Sequence, residues 1–339
     1  MPFTRPAYAV LAIALLALSG CDDRAHAPWT AVSSVGPEAA ALATATPLAP
    51  PLDEGAVARS IDALNERLEA RGALHRVQRV EWSTALGAAH GGTTQTVFAN
   101  DRTLRFDTRW VPNDPRRSGA GLELRHGLHA PLAVSIGGAD LAPATERSLD
   151  LFGDVACSAL RLRSVELPAG VSPSFIATPE ELGDPGLTLP DAPAADIVTV
   201  GFVSAELLDA VLGPGASAAV LGVTFHFVFV DERGRPTDLD RSRRLDSSYK
   251  EIWYNAAVPW ADAPAPGIDL ASVVLHEIGH GVELDHFGRI FTNRGNGRLQ
   301  VSPHAVMNAA YTGPIRDLLG TDRAAFCGLF ANWPKGEEH

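Results

Sequence analysis

The chain has 339 residues, 46 % hydrophobic and 20 % charged, the balance of a globular protein with one large or two medium domains. A net charge of -12 with no concentrated basic patch excludes a nucleic-acid partner. After the first twenty residues no apolar run reaches spanning length, so no internal transmembrane helix is expected.

The chain opens on a basic residue, Arg5, followed by the apolar run AYAVLAIALLAL (7–18), which is too short to span a bilayer comfortably and reads as a signal-peptide core. It ends in LSGC (18–21). Small residues directly before a cysteine resemble the lipobox of bacterial lipoproteins, which implies a signal peptide over 1–20, lipidation of Cys21 and attachment of the mature chain to a membrane through that lipid. The expected location is the cell envelope, on the periplasmic side or at the cell surface. Residues 21–52 are rich in Ala, Pro, Ser and Thr and read as a flexible tether.

Residues 53–97 form an N-terminal helical and extended segment. Val57, Ile61, Leu64 and Leu68 recur at helical spacing, and Gly72 stops the helix. The stretch from Phe98 to Arg117 reads as a strand entering a Pro-rich turn, and PLAVSIGG (131–138) as a strand. Residues 142–160 read as a helix with Leu149, Phe152, Val155 and Ala156 inward. LRLRSVEL (160–167), ADIVTVGFV (195–203), VLGVTFHFVFV (220–230) and a short EIWYN (251–255) read as strands. Strands and helices interleave, which places the chain in the α+β (α/β-like) class around one twisted sheet.

Asp269 caps a helix beginning at Leu270. On it His276 and His280 are four residues apart, so both imidazoles face one side a turn apart and reach one zinc ion. Glu277, beside the first of them, reaches a water at that ion without binding the metal. His286 is the expected third ligand. It lies six residues past His280, so the helix must end and the chain turn back. Three histidines leave one coordination position open, as in a catalytic site. Met307 is the sole methionine besides Met1 and lies twenty-one residues after His286.

HEIGHGVELDH (276–286) with AVMNAAY (305–311) resembles the metzincin zinc metalloproteases, and within them the matrixin-like bacterial secreted or lipoprotein group. EIWYNAAVPW, GIDLASVVLHEIGH, RWVPNDPRR, ADIVTVGF and FCGLFANWP extend the resemblance over roughly 98–335. It implies a twisted, mostly parallel five-stranded sheet with an active-site helix and a small C-terminal subdomain. It also implies a Met-turn at Met307 and Tyr311, one catalytic zinc held by His276, His280 and His286, Glu277 as general base, and a peptide or protein substrate. That substrate is expected to lie along 220–230 as an edge strand. The sequence departs from the family pattern at Glu283, where a glycine makes the turn. A left-handed Glu283 is expected to cost on the order of 1 kcal/mol; either it takes that conformation, so that Glu283→Gly preserves activity and raises stability or zinc affinity modestly, or the helix ends differently, and a large loss in Glu283→Gly would instead mark a role of its side chain.

In an exported chain Cys157 and Cys327 are an even pair and are expected to form a disulfide. Asp238, Asp240 and Asp246 stand at calcium-loop intervals, but three arginines among them make calcium a weak candidate beside a solvated loop. His226 and His304 read as sheet and loop histidines. The competing functional reading is a non-catalytic zinc-holding envelope binding protein, against which Glu277 stands; a third is a hydrolase acting on something other than peptides.

Overall fold

The structure is a computed structural model that describes residues 52–86, 95–99, 107–119, 121–296 and 298–335. The expected signal peptide, Cys21 and nearly all of the expected tether lie outside the described residues. Among the described residues no helix is long and apolar enough to cross a membrane.

The strands are β1 (His75–Ala85), β2 (Thr96–Phe98), β3 (Thr108–Arg109), β4 (Glu123–Leu128), β5 (Arg161–Val165), β6 (Ile197–Val203), β7 (Val220–Phe229), β8 (Leu245–Asn255), β9 (Trp260–Ala261), β10 (Ile268–Asp269), β11 (Arg289–Thr292), β12 (Leu299–Ser302) and β13 (Ala310–Tyr311). The α-helices are α1 (Glu54–Ala70), α2 (Leu141–Gly153), α3 (Ala205–Leu212), α4 (Leu270–Gly281) and α5 (Gly320–Phe330).

One nine-stranded sheet organises them, in the order β13-β1-β7-β8-β6-β4-β5, with β2 added to β1 and β3 to β8. The pairings β4–β5, β4–β6, β6–β8, β3–β8 and β1–β13 are parallel, while β1–β2, β1–β7 and β7–β8 are antiparallel. The sheet is mostly parallel, as expected, but has nine strands among the described residues rather than five.

Alternation along the strands divides the core in two. Leu221, Ile252 and Tyr254 face α2, α4 and α5, packing with Phe152, Val274, Ile278 and Phe326. Val223, Phe225 and Trp253 face the other way, with Leu64 and Leu68 of α1 and Leu208 of α3. The sheet therefore lies between two helical layers. The N-terminal segment is built into it: α1 puts Val57, Ile61, Leu64 and Leu68 into the second core, and β1 is an interior strand.

Three expectations fail. β7 (within 220–230) is not an edge strand, because β1 covers one side and β8 the other. PLAVSIGG is not a strand: it holds a 3-10 turn, Ala130–Leu132, and an isolated bridge from Ile136 to Ala139. Gly137 and Gly138 adopt positive φ there, which breaks an extended run. The second helix also stops at Gly153, leaving Val155 buried beyond its end and Ala156 exposed.

Candidate metal centre

Helix α4 starts where its cap is. The Asp269 carboxylate accepts the Ser272 N–H at 3.1 Å, and eleven of the twelve helical residues are buried. Its histidine face closes on one point. His280 Nε2 lies 3.0 Å from His276 Nε2 and 3.2 Å from His286 Nε2. The opposite nitrogens are committed to carbonyls: His276 Nδ1 donates to Val306 O and His280 Nδ1 to Leu284 O, each at 2.7 Å.

These bonds place the protons of His276 and His280 on Nδ1 and leave their Nε2 atoms as bare lone pairs. Burial favours this neutral form, pushing His276 down to about 3 and His280 well below its ordinary value. Lone pairs facing one another at such distances repel unless a cation lies between them. A three-nitrogen set of neutral imidazoles with room for a fourth ligand fits zinc. A second group, Glu81 with His226 and His280, fits a cation less well, since it would use the His280 nitrogen already donating to Leu284.

Glu277 lies on the same helix with no exposed surface. Its carboxylate accepts the Ser83 hydroxyl at 2.7 Å and the Thr224 hydroxyl at 2.8 Å. Burial pushes it up to about 8, against the downward pull of the two hydroxyls. β7 can pass this close only at Gly222, where a Cβ would stand 2.7 Å from Glu277 Oε1.

Met307 packs beneath α4, with its sulfur against Gly279, a position between the two helical histidines that has no room for a side chain. The turn is held by Asp322, near the start of α5, which accepts the Val306 N–H at 3.0 Å and the Met307 N–H at 3.2 Å. Asp322 therefore steadies the carbonyl that orients His276. Its sequence context, GTDRA, carries no signal for this role. Tyr311 accepts the Asp269 N–H at 3.1 Å, tying the segment after the Met307 turn to the start of α4.

Glu283 takes φ 69°, the left-handed conformation expected of the residue that ends the helix. Its side chain argues against a stabilising Glu283→Gly and for a role of its own. It is buried, and its carboxylate bonds to the hydroxyls of Thr108 and Ser247 and pairs with Lys250 Nζ at 2.9 Å. Arg79 reaches Glu283 at 3.8 Å and Asp285 at 2.5 Å, and Glu81 at 3.2 Å through its Nε. His226 lies in β7, as expected of a sheet histidine, with its Nε2 2.9 Å from Glu81 and its Nδ1 3.0 Å from Lys250 Nζ. Beside His286 opens a cleft of about 640 Å³, lined among others by Arg79, Glu81, Asp285, Phe287 and Asn308.

Cys157 and Cys327 form a disulfide, which joins the chain just after α2 to α5. Asp238, Asp240 and Asp246 come together, but protein donors already engage their carboxylates. Asp246 takes Arg116, Thr237 and the Leu239 N–H; Asp240 pairs with Arg109; Asp238 caps Ser242 and Arg243. The loop thus supplies no argument for calcium. His304 Nε2 lies 3.0 Å from Thr312 Oγ1. No protein-family model matches the chain, and no curated protein matches it.

Proposed function

We propose that the chain is a zinc-dependent endopeptidase of the metzincin type, the matrixin-like group being the one its motifs resemble. The observation that carries this reading is the convergence of His276, His280 and His286 through their Nε2 atoms, with the Glu277 carboxylate on the same helix. Zinc bound there supplies Lewis acidity, bringing water toward neutral acidity and polarising a scissile carbonyl.

The chain's own groups do the rest. Glu277 accepts the proton of the attacking water and returns it to the leaving amine. The Ser83 and Thr224 hydroxyls donate to that carboxylate and hold it in place beside the histidine face. Val306 O, Leu284 O and the Met307 turn fix the imidazoles in one tautomer and orientation. The reading includes an exported lipoprotein anchored through Cys21, acting on peptide or protein substrates at the cell envelope.

Metal analysis should find one zinc per chain in both the wild type and Glu277→Gln. Hydrolysis of a mixed fluorogenic peptide pool should stop on chelation and fall by about 100-fold or more in the variant. A wild type without zinc would sink the metal centre, and undiminished hydrolysis by the variant would remove Glu277 as base. The second reading, a zinc-holding binding protein that does not cleave, draws on the sealing of Glu277 from solvent. Zinc without hydrolysis of any peptide would favour it.

A further inference from the structure

After Asp285 the sequence carries no carboxylate until Asp317, while Arg289, Arg294 and Arg298 fall between them. This is a basic stretch in a chain of net charge -12. It folds as the hairpin β11–β12, a two-stranded sheet of its own, paired antiparallel from Arg289↔Ser302 to Thr292↔Leu299. The Asn293 N–H donates to Arg298 O at 2.8 Å and closes the turn. The side-chain oxygens of Asn293 and Asn296 accept the N–H groups of Gly295 and Arg298. Backbone and asparagine groups thus build the turn, and the arginine side chains are left for other work.

Alternation gives the hairpin two faces. Ile290 and Leu299 pack on Leu86 and Ala310, and Val301, opposite Ile290, is buried. The other face carries Arg289 and Phe291, with Phe287 just before the strand. Phe287 is 40 % exposed and Phe291 37 %, and no other aromatic residue stands among the large hydrophobics that the described residues expose. Arg289, Arg294 and Arg298 are exposed as well. Among the described residues none of the three pairs with a carboxylate. Two phenyl rings in water, clustered on one small element, mark a surface that gains by being covered.

Charge complementarity names what covers it. Phenyl rings flanked by guanidinium groups match the boundary of an anionic phospholipid layer: the rings enter between headgroups and acyl chains, and the guanidinium groups take phosphate by two-point contact. Each arginine held at such a surface strengthens association by about five-fold, an effect confined to about one Debye length. The chain as a whole is negative and is repelled by the same surface, so the hairpin is the element that can lead. In the lipoprotein reading, a tether over 21–52 reaches on the order of 30 Å. The bilayer is then present at high local concentration, and a weak contact suffices.

We propose that the β11–β12 hairpin is a membrane-docking surface, with Phe287 and Phe291 entering the interface and Arg289, Arg294 and Arg298 holding anionic phospholipid headgroups. The inference rests on the lipoprotein reading for the membrane that presents those headgroups. Docking bears on the metal centre through the base of the hairpin. The Phe287 N–H donates to Met307 O at 2.7 Å, and the Asn308 side-chain amide donates to Phe287 O at 2.7 Å. Phe287, Arg289 and Ile290 line the cleft beside His286. A docked hairpin therefore sets the mouth of that cleft at the bilayer surface, where polypeptide emerging from the membrane can enter it.

The test uses the full chain in vesicles of phosphatidylcholine, alone or mixed with phosphatidylglycerol, whose brominated acyl chains quench any fluorophore that enters them. Thr292→Cys, exposed on the hairpin, carries a thiol-coupled fluorophore; Leu189→Cys, exposed on another loop, carries the same one as control. With phosphatidylglycerol the hairpin label should be quenched and the control label not. In phosphatidylcholine alone both should stay bright. Arg294→Gln with Arg298→Gln should lower the ratio of docked to free hairpin by about 25-fold, and about 0.5 M salt should do the same to the parent. Equal quenching at the two positions overturns the proposal, as does quenching of the hairpin label without need of phosphatidylglycerol. So does an arginine variant that docks like its parent but binds a soluble glutamate-rich peptide more weakly, which would assign the arginines to an acidic substrate. The chain without an introduced cysteine should take no label. Label on Cys21 would sink the lipoprotein reading alone, and Cys21→Ser in every arm then reads the hairpin by itself.

Discussion

Glu283 Oε1 lies 2.9 Å from Lys250 Nζ, with both side chains sealed from solvent. A glycine at 283 would relieve a left-handed backbone by about 1 kcal/mol, but it would leave the Lys250 ammonium buried without its carboxylate. Removing one partner of a buried pair costs about 3–5 kcal/mol. The stranded ammonium therefore outweighs the relieved backbone.

Glu283→Gly should lower the stability of the whole chain by about 2–4 kcal/mol, read from denaturant unfolding. The double variant Glu283→Gly with Lys250→Met should recover much of the loss, because it removes the stranded charge as well. A single variant as stable as the wild type would show that the Lys250–Glu283 pair contributes nothing.

The disulfide predicts a loss of another kind. Cys157 and Cys327 are 170 residues apart in sequence, so the bond restricts the unfolded chain over a long loop. Cys157→Ser with Cys327→Ser should cost about 2–5 kcal/mol. The pairing itself is checked by mass spectrometry of the unreduced protein, where a thiol-alkylating reagent should label neither cysteine.

How much of this could be read from the sequence depends on which interactions are local. The cap at Asp269, the four-residue spacing of His276 and His280 and the turn before His286 are all local, and the structure brings these residues together as expected. β1 could not be read in the same way. A bulge between Val77 and Arg79 breaks its alternation, so the apolar positions Val77, Val80 and Trp82 fall out of period. The length of β8 was hidden by composition. Only EIWYN reads as a strand, while Asp246, Ser247, Ser248 and Lys250 look like a solvated loop and are buried. Their burial depends on partners such as Arg116 and Glu283, far away in sequence. Covering of β7 by β1 is likewise a long-range pairing that no alternation pattern within 220–230 records.

A buried histidine sets an acid limit on stability. His126 of β4 has 2 % exposure and its Nε2 lies 3.0 Å from Thr199 Oγ1; burial pushes it from 6.5 down to about 4. Between these values the unfolded chain binds more protons than the folded one. The stability tied to neutral His126 is thus complete above 6.5 and lost as pH falls through about 4, a span worth about 3 kcal/mol. His126→Gln cannot titrate. Its stability deficit relative to the wild type, measured by urea unfolding, should narrow by about 2–3 kcal/mol between pH 7 and pH 4. A deficit that stays constant over that range would show that His126 keeps its ordinary affinity for protons in the folded chain.

Asp322 is the test of whether the turn beneath α4 governs the metal centre. Its two carboxylate oxygens accept three backbone donors, from Val306, Met307 and Leu319. Val306 O in turn accepts the proton of His276 Nδ1. Asp322 thus acts on the ligand through one intervening carbonyl. Asp322→Ala would strand buried N–H groups at about 1–3 kcal/mol each, less where the loop relaxes toward water. A purely structural role would stop at that loss. A positioning role predicts more. In the fraction that remains folded, zinc affinity should fall by about 10- to 100-fold, measured by competition with a chromophoric chelator. Asp322→Asn keeps one acceptor oxygen and should fall between the two. Destabilisation of Asp322→Ala with unchanged zinc affinity would confine Asp322 to holding α5 against the turn.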